Sequence, residues 1–453
     1  MYLGLSAFLS ANKDRRDLLL SQREPEFDTS FDARIAAASD DFSRITLKAQ
    51  AARDYFLLIG PPGTGKTSRA LRGMVEAFYR EGKQILLLSY TNRAVDEICK
   101  TLSVITPEID FIRIGSELSC DPSFRSRLIE NVLEPCSTRR EVHARIERCR
   151  VFVGTVATFS SKTDMFRLKT FDVAIVDEAT QILEPQLLGL LCARNVVGNN
   201  AIGKFILIGD HKQLPAVVLQ SESQSEVCEE CLQSIGLYNL KDSLFERLYR
   251  TVSANHSSPT TQRFYDMLCR QGRMNVEVAR FPNHAFYGGL LEAVGLPHQQ
   301  GELVLAPGLE SDEFADVLVS RVAFLPSVPE TPSQSAKINH SEAQLTARLA
   351  AAVYRQYEAS GSGFHSALTL GVITPYRSQI ALIKSEIAAL GIPVLNDILV
   401  DTVERFQGSE RDVIIYSFCV NRTYQLKFLA NLTEERGVWI DRKLNVALTR
   451  ARK

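Results

Sequence analysis

The chain has 453 residues, of which 45% are hydrophobic and 23% charged, and its net charge at neutral pH is −1. This length predicts two or three domains, and the composition excludes disordered and fibrous proteins. Nucleic-acid binding, if present, would depend on local basic grooves because the chain as a whole is nearly neutral. The sequence has no apolar run of 18 residues, no basic segment before its short apolar N-terminal stretch and no regular cysteine spacing, so we expect a cytoplasmic protein without a membrane span.

The first motif is a phosphate-binding loop. The apolar run YFLLI, residues 55–59, predicts a buried strand, and it leads directly into GPPGTGKT, a complete GxxxxGK[ST] loop. Periodic apolar residues after this loop predict a helix, whose N-terminus would favour a polyphosphate. Lys66 would contact the β- and γ-phosphates, and the Thr67 hydroxyl would bind Mg²⁺. The predicted nucleotide-binding residues are Gly60, Pro61, Pro62, Gly63, Thr64, Gly65, Lys66 and Thr67.

Two later strands add further candidates. FDVAIV, residues 171–176, predicts a strand with Asp177 and Glu178 at its carboxyl end, where open parallel sheets bind their ligands. Asp177 would hold Mg²⁺, and Glu178 would activate the attacking water as a general base. The two acids could instead cap a helix, but a complete P-loop in the same chain favours the catalytic interpretation. The run KFILI is followed by GDHKQLP, whose Gln213 could orient water or sense the γ-phosphate.

Residues 110–150 predict a helical insertion that is rich in arginine and glutamate. It could contact nucleic acid. It could equally present a solvated helical face, because glutamates alternate with the arginines.

Apolar runs in the second half predict further strands at residues 321–325, 368–373 and 412–417. Strand runs alternate with helical patterns throughout the chain. This alternation predicts α/β domains with mainly parallel sheets.

The ordered set of motifs resembles one enzyme family. GPPGTGKT, VDEATQ and GDHKQLP resemble motifs I, II and III of superfamily 1 helicases, branch B, the group that contains the nonsense-mediated-decay RNA helicase and the replication nuclease-helicase. SYTNRAVD, GTVAT, SLFERL, QGRMN, TPYRSQ, VDTVERFQGSE and NVALTRAR are similar to further segments of these proteins. The resemblance spans about residues 50–453 and favours a bacterial AAA-domain member. An ordered set of motifs is far more specific than any single motif.

The resemblance implies two tandem RecA-like P-loop domains with helices on both faces of mainly parallel sheets. The expected domains are an N-terminal segment, 1–45, a first motor domain, 46–245, with the insertion at about 110–150, and a second motor domain, 246–453. Because the chain stops three residues after Arg450, the second domain is expected to be truncated at its C-terminus. ATP would bind in the cleft between the motor domains, and a single strand would run across both.

The resemblance also implies roles for individual residues. Arg273 and Arg450 occupy the positions of the arginines that act on the ATP phosphates, and Gly408 and Glu410 belong to the nucleotide-binding set. The residues expected to contact nucleic acid are Thr91, Asn92, Thr155, Pro375, Tyr376 and Thr402.

The implied function is an ATP- and Mg²⁺-dependent helicase or translocase on single-stranded nucleic acid, with DNA favoured over RNA. An RNA helicase or ribonucleoprotein remodeller is the alternative within this class. A nucleotide-gated module that binds nucleic acid without unwinding it is the alternative outside the class, but the intact set of catalytic residues favours an active ATPase. We expect a monomer without membrane partners.

Overall fold

The computed structural model describes residues 2–254, 261–329, 335, 337–435 and 437–453. They form two compact units. The first unit comprises Met1–Pro61, Gly65–His211 and Pro215–Leu268. The second comprises Cys269–Lys453 together with two short loop segments, Pro62–Thr64 and Lys212–Leu214.

A parallel sheet of seven strands forms the centre of the first unit. Its strands are β1 (Tyr55–Ile59), β2 (Ile85–Ser89), β3 (Phe111–Ile114), β4 (Val151–Thr155), β5 (Phe171–Val176), β6 (Ile202–Gly209) and β7 (Tyr265–Met267). Their spatial order is β3-β4-β2-β5-β6-β1-β7. Alternate residues of β1 enter two apolar clusters, with Leu57 in one and Leu58 in the other. The sheet is therefore buried on both faces, which explains why its strands appear in the sequence as continuous apolar runs.

Helices cover both faces of this sheet. They are α1 (Tyr2–Ser10), α2 (Lys13–Leu19), α3 (Asp32–Ala36), α4 (Asp41–Ala51), α5 (Arg72–Arg80), α6 (Asn92–Ser103), α7 (Ile129–Leu133), α8 (Arg139–Arg148), α9 (Val156–Ser161), α10 (Met165–Leu168), α11 (Glu184–Leu191), α12 (Glu222–Ser225), α13 (Glu230–Gln233) and α14 (Leu244–Ala254). A π-helical turn, Lys66–Leu71, precedes α5. In the part of the chain that the structure describes, no helix has both the length and the apolar character needed to cross a membrane.

The N-terminal segment is an integral part of the first unit. Helix α1 crosses α11 where Gly4 meets Gly189, and a Cβ added to Gly189 would lie 2.6 Å from the Gly4 Cα. The Arg15 side chain is buried and donates hydrogen bonds to the carbonyl oxygens of Ile202 and Gly203. Leu18 and Leu19 of α2 enter the same apolar cluster as β1.

The segment 110–150 is only partly helical. It contributes β3, one of the two edge strands of the sheet, so the prediction of a helical insertion is wrong for residues 111–114. Arg127 and Arg145 both donate to Asp110. Ion pairs within the unit thus neutralise part of the charge that the sequence places here.

The second unit contains three small sheets among its described residues. Their strands are β8 (Arg270–Gln271), β9 (Glu292–Ala293), β10 (Leu370–Ile373), β11 (Leu399–Asp401), β12 (Val413–Tyr416), β13 (Leu432–Glu435) and β14 (Val438–Asp441). β11-β10-β12 form a parallel sheet and β8-β9 a short parallel pair, whereas β13 and β14 form an antiparallel hairpin. In this hairpin the Ile440 side chain is buried, and the neighbouring Trp439 is 63% exposed.

Eight helices complete the described part of the second unit. They are α15 (Val276–Tyr287), α16 (Pro297–Gln300), α17 (Ala315–Leu318), α18 (His340–Ala359), α19 (Arg377–Ala389), α20 (Val403–Phe406), α21 (Leu426–Leu429) and α22 (Arg442–Leu448). The α18 alanines and the α19 isoleucines pack with β10 in one apolar cluster. The parallel sheets and their helical layers confirm the α/β fold class.

One predicted strand of the second unit is wrong. Residues 321–325 form no strand, and the Val322 and Phe324 side chains are 67% and 82% exposed. The other two predicted strands correspond to β10 and β12.

Candidate nucleotide site and nucleic-acid face

The P-loop, residues 60–67, joins the carboxyl end of β1 to the helix that begins at Lys66. Gly63 and Gly65 have φ angles of 73° and 78°. This left-handed region is open to glycine at little cost. A Cβ on Gly60 would lie 2.7 Å from the Cβ of Lys66, so the loop requires glycine there for a steric reason. The glycines of the motif therefore allow the backbone to fold tightly in front of the helix.

Four predicted site residues meet at the carboxyl ends of β1 and β5. The Lys66 Nζ lies 2.6 Å from the Glu178 Oε1, and the Thr67 hydroxyl donates to the Asp177 Oδ2 at 2.6 Å. The Asp177 Oδ1 accepts a hydrogen bond from the Glu178 backbone N–H at 2.9 Å. Residues 110 positions apart are thus held in direct contact, as the P-loop interpretation requires.

Burial and the neighbouring charges both act on the ionisation of this cluster. Burial disfavours the Lys66 ammonium, but the carboxylates of Glu178 and Asp177 outweigh that effect and raise the pKa of Lys66 above its ordinary value. Burial also raises the pKa of the Asp177 carboxyl, despite the opposing effect of Lys66. Lys66 therefore remains charged at neutral pH. Lys66 offsets only part of the cost of burying the Asp177 carboxylate.

The donor set fits Mg²⁺. The Thr67 hydroxyl and the Asp177 carboxylate are hard oxygen donors held next to the P-loop, as Mg²⁺ prefers. Within the described ranges, no group of three or more His, Cys, Asp or Glu side chains could hold a metal ion. A magnesium ion here would therefore need phosphate oxygens or water to complete its coordination, which is typical of nucleotide enzymes.

In the second unit, the predicted sensor and one predicted arginine are in contact. The Arg450 Nη2 donates to the Gln213 Oε1 at 2.9 Å. The Arg450 Nε also donates to the Val446 carbonyl oxygen at 3.0 Å, and the side chain is almost fully buried. Arg450 is thus a buried, hydrogen-bonded group, whereas the nearby Arg452 is partly exposed.

The other predicted arginine contacts a second predicted nucleotide residue. The Arg273 Nε donates to the Glu410 Oε2 at 2.6 Å, and its Nη1 donates to the Thr449 carbonyl oxygen at 3.2 Å. The P-loop segment that belongs to the second unit lies directly against this arginine. There the Gly272 N–H donates to the Gly63 carbonyl oxygen at 2.8 Å. Gly408 has a φ of 78°, and a Cβ added to it would meet nothing within 4 Å.

The nucleic-acid candidates of the first unit lie at the ends of two paired strands. Thr91 and Asn92 follow β2, and Thr155 ends β4, opposite Ser89. Both threonine hydroxyls accept a hydrogen bond from the backbone N–H three residues later, at 3.2 Å and 3.0 Å, and so cap α6 and α9. Thr91 is exposed, whereas the Thr155 side chain is buried and its hydroxyl also lies 2.8 Å from the Thr158 hydroxyl.

The candidates of the second unit also lie at the ends of paired strands. Pro375 and Tyr376 follow β10, Thr402 follows β11, and Ile373 stands opposite Asp401 in the register. The three residues therefore share one edge of the sheet. None of the three is fully buried.

Some polar residues that contact the candidate site residues were not predicted from the sequence. The Gln181 Nε2 donates to the Glu178 Oε2 at 3.0 Å and orients the expected general base. Its position inside VDEATQ, three residues after Glu178, was an available signal. His298 and Gln299 contact the turn that carries Arg273. They belong to no recognised motif.

Comparison with known proteins gives consistent matches. Two family models, each described as an AAA domain, match the chain. One matches residues 38–148 and 126–221, and the other matches residues 240–453. The DNA replication ATP-dependent helicase/nuclease DNA2 of Bos taurus is 28% identical over 475 residues, which are 98% of this chain and 40% of the relative. Its counterpart in Xenopus laevis is 31% identical, with coverage of 88% and 35%. The Saccharomyces cerevisiae protein is 29% identical, with coverage of 97% and 27%.

Together these matches support a superfamily 1 helicase. Within that family the chain is related to the replication nuclease-helicase group. The chain spans 40% or less of the length of these three relatives. A solved structure of arterivirus nonstructural protein 10 (helicase) with DNA is 14% identical, with a TM-score of 0.39 and coverage of 91% of this chain and 61% of that chain. This score is too low to support a conclusion.

Proposed function

We propose that the chain is an ATP-driven translocase or helicase that acts on single-stranded nucleic acid. The supporting observation is that the P-loop cluster and two nucleic-acid candidate loops lie on one edge of one sheet. β1 and β5 carry the cluster of Lys66 and Glu178, while β2 and β4 carry Thr91 and Thr155. Because all these strands are parallel, their carboxyl ends face the same side. A change at the phosphates can therefore be transmitted to the nucleic-acid loops over a few strands.

In the proposed reaction, Lys66 binds the β- and γ-phosphates and gives up its ion pair with Glu178. The freed Glu178 carboxylate then takes a proton from the attacking water, and Gln181 keeps this carboxylate oriented. Thr67 and Asp177 are the residues that would hold Mg²⁺. The chemistry that a bound ion would supply there is neutralisation of the phosphate charge.

Residues of the second unit complete the proposed set. Gln213 senses the γ-phosphate, and Arg273 and Arg450 stabilise the charge that develops during phosphoryl transfer. Arginines in this role contribute about 10³ to 10⁵ in rate where they have been measured. Because one chain carries both arginines and the P-loop, we also propose that it works as a monomer. A molecular mass in solution that corresponds to a dimer or a ring would contradict the proposal of a monomer.

DNA is the substrate that we favour. The three relatives described above are named as DNA replication helicase/nucleases. The Thr91 and Thr155 contacts proposed here would follow the phosphate backbone and carry no sequence information. An RNA substrate is the alternative outcome of the experiment.

The decisive measurement is the rate of ATP hydrolysis with single-stranded DNA, with single-stranded RNA and with neither. We expect DNA to stimulate the rate more strongly than RNA. Stimulation by RNA alone would assign the chain to RNA remodelling. Stimulation by neither, in a folded preparation, would refute the motor and leave a binding module.

A further inference from the structure

The turn that presents Arg273 is enclosed by buried amide side chains. It runs from Gln271 to Met274, between β8 and α15. Gln271 is buried, and its Oε1 accepts hydrogen bonds from the N–H groups of Arg273 at 2.9 Å and Met274 at 2.8 Å. Its Nε2 donates to the Met274 carbonyl oxygen at 3.0 Å. One side chain thus binds the backbone on both sides of the arginine.

A second buried glutamine donates a hydrogen bond to the backbone of the first. Gln299 is completely buried, and its Nε2 donates to the carbonyl oxygens of Gln271 at 2.9 Å and Met274 at 3.1 Å. Its Oε1 accepts from the N–H groups of Gly295 and Leu296, both at 3.1 Å. Every hydrogen-bonding atom of this amide is therefore occupied, and it links the segment around α16 to the arginine turn.

The neighbouring histidine adds a third contact. The His298 Nε2 lies 3.0 Å from the Arg273 carbonyl oxygen, and the Asn275 Nδ2 donates to the His298 carbonyl oxygen at 3.2 Å. The tautomer with a proton on Nε2 donates to the carbonyl group of Arg273. Both peptide groups of Arg273 are consequently fixed, the N–H by Gln271 and the C=O by His298.

We propose that Gln299, assisted by His298, is a positioning residue for Arg273 in ATP hydrolysis. The inference rests on the proposed function, in which Arg273 stabilises the phosphoryl-transfer transition state. The arginine side chain has several rotatable bonds, so the position of its guanidinium depends on how firmly its backbone is fixed. Displacing a catalytic group by about 1 Å can cost 10²-fold in rate. Neither residue touches the nucleotide in this proposal.

The principal variant is Gln299→Met, which keeps the length of the side chain and removes its hydrogen bonds. We expect kcat for nucleic-acid-stimulated ATP hydrolysis to fall by about 10²-fold, while the KM for ATP stays within about threefold. The matched control is Gln300→Met, because Gln300 is the adjacent glutamine and is exposed. The control should keep the wild-type kcat.

A double-mutant cycle separates positioning from general support of the fold. If Gln299 acts through Arg273, Gln299→Met should cause no further loss of kcat in an Arg273→Ala background. Equal losses in both backgrounds would refute the proposal, as would a normal kcat in the single variant. If Arg273→Ala itself keeps the wild-type kcat, then the proposed role of Arg273 fails, and the cycle identifies that failure separately.

His298→Ala tests the same inference if Gln299→Met does not fold. It removes one contact from a half-buried position. We expect a smaller fall in kcat, again absent in the Arg273→Ala background. Thermal unfolding and binding of a fluorescent ATP analogue should be measured on every variant. An unaltered kcat in a folded His298→Ala variant would overturn the part assigned to His298.

Discussion

Lys66 and Glu178 form an ion pair of 2.6 Å, and only 17% and 14% of their side chains remain exposed. Removing water from two charges costs free energy, and the pair recovers that cost only while both partners are present. The same contact therefore serves two purposes. It stabilises the unliganded cluster, and it holds the lysine where a phosphate can replace the carboxylate.

Lys66→Ala is expected to abolish ATP hydrolysis because the phosphates lose their cationic contact. The variant should also be less stable by about 1–3 kcal/mol, since Glu178 keeps its burial and loses its cationic partner. Steady-state ATPase assays and urea unfolding measure the two effects. Lys83→Ala, which changes an exposed lysine just after α5, is the control for both. Normal turnover in Lys66→Ala would show that the P-loop assignment is wrong.

At this scale, local sequence predicted the central cluster well. The spacing of the P-loop and the acids after β5 placed Lys66, Thr67, Asp177 and Glu178 together. The fixed geometry of a parallel sheet makes such predictions possible. Gln299 also contacts the carbonyl oxygens of Gln271 and Met274, which lie at least 25 residues away and share no periodicity or motif with it, so only the folded chain reveals these contacts.

At the scale of elements, the crossing of α1 and α11 depends on two glycines. A Cβ at position 189 would approach the backbone of Gly4 to 2.6 Å, which is closer than real Cβ contacts allow. Backbone atoms cannot move aside as the end of a flexible side chain can. Helix α1 must therefore shift or detach if this position carries any side chain.

Gly189→Ala should weaken the attachment of α1, despite the gain of about 1 kcal/mol in helix propensity that alanine brings. We expect a net loss of about 1–3 kcal/mol in stability and faster proteolysis within α1. Thermal unfolding and limited proteolysis report these effects. Gly115→Ala is a suitable control because a Cβ there meets nothing closer than 3.8 Å. Unchanged cleavage of α1 in Gly189→Ala would contradict the close-packed crossing.

The strands show where element prediction succeeds and fails. β1 and β5 are buried on both faces, so their apolar runs gave their bounds directly. The run at 321–325 has similar residues but lies exposed. A five-residue apolar run cannot reveal whether a neighbouring strand is present to pair with it. The contacts of partly buried lysines with distant parts of the chain were also beyond prediction. The Lys204 Nζ donates to three carbonyl oxygens at the end of α4, more than 150 residues earlier in the chain.

At the scale of the whole molecule, the net charge of −1 decides how nucleic acid can bind. No overall field attracts a polyanion, so affinity must come from individual contacts at the strand ends. Helix α5 leaves the P-loop at the carboxyl edge of the sheet and runs back toward the opposite edge. Basic residues at its far end should therefore take no part in nucleic-acid binding.

Affinity for single-stranded DNA should fall steeply with salt, with a slope of log K against log salt of about −0.7 for each phosphate contacted. Arg93→Ala changes an exposed arginine beside Asn92 and should make the slope shallower by about 0.7. Arg80→Ala, at the far end of α5, should leave it unchanged. Fluorescence anisotropy titrations over a range of salt concentrations measure these slopes. A salt-independent affinity would contradict binding through the phosphate backbone.

The β13–β14 hairpin gives the molecule a built-in optical reporter. Trp439 is the only tryptophan of the chain, and it is largely exposed on a strand that leads directly into α22. Indole emission excited at the red edge of its absorption therefore arises from one known place. Its wavelength and its quenching by acrylamide can be followed during nucleotide and DNA titrations. A single unlabelled sample thus reports on the surroundings of the helix that precedes Arg450.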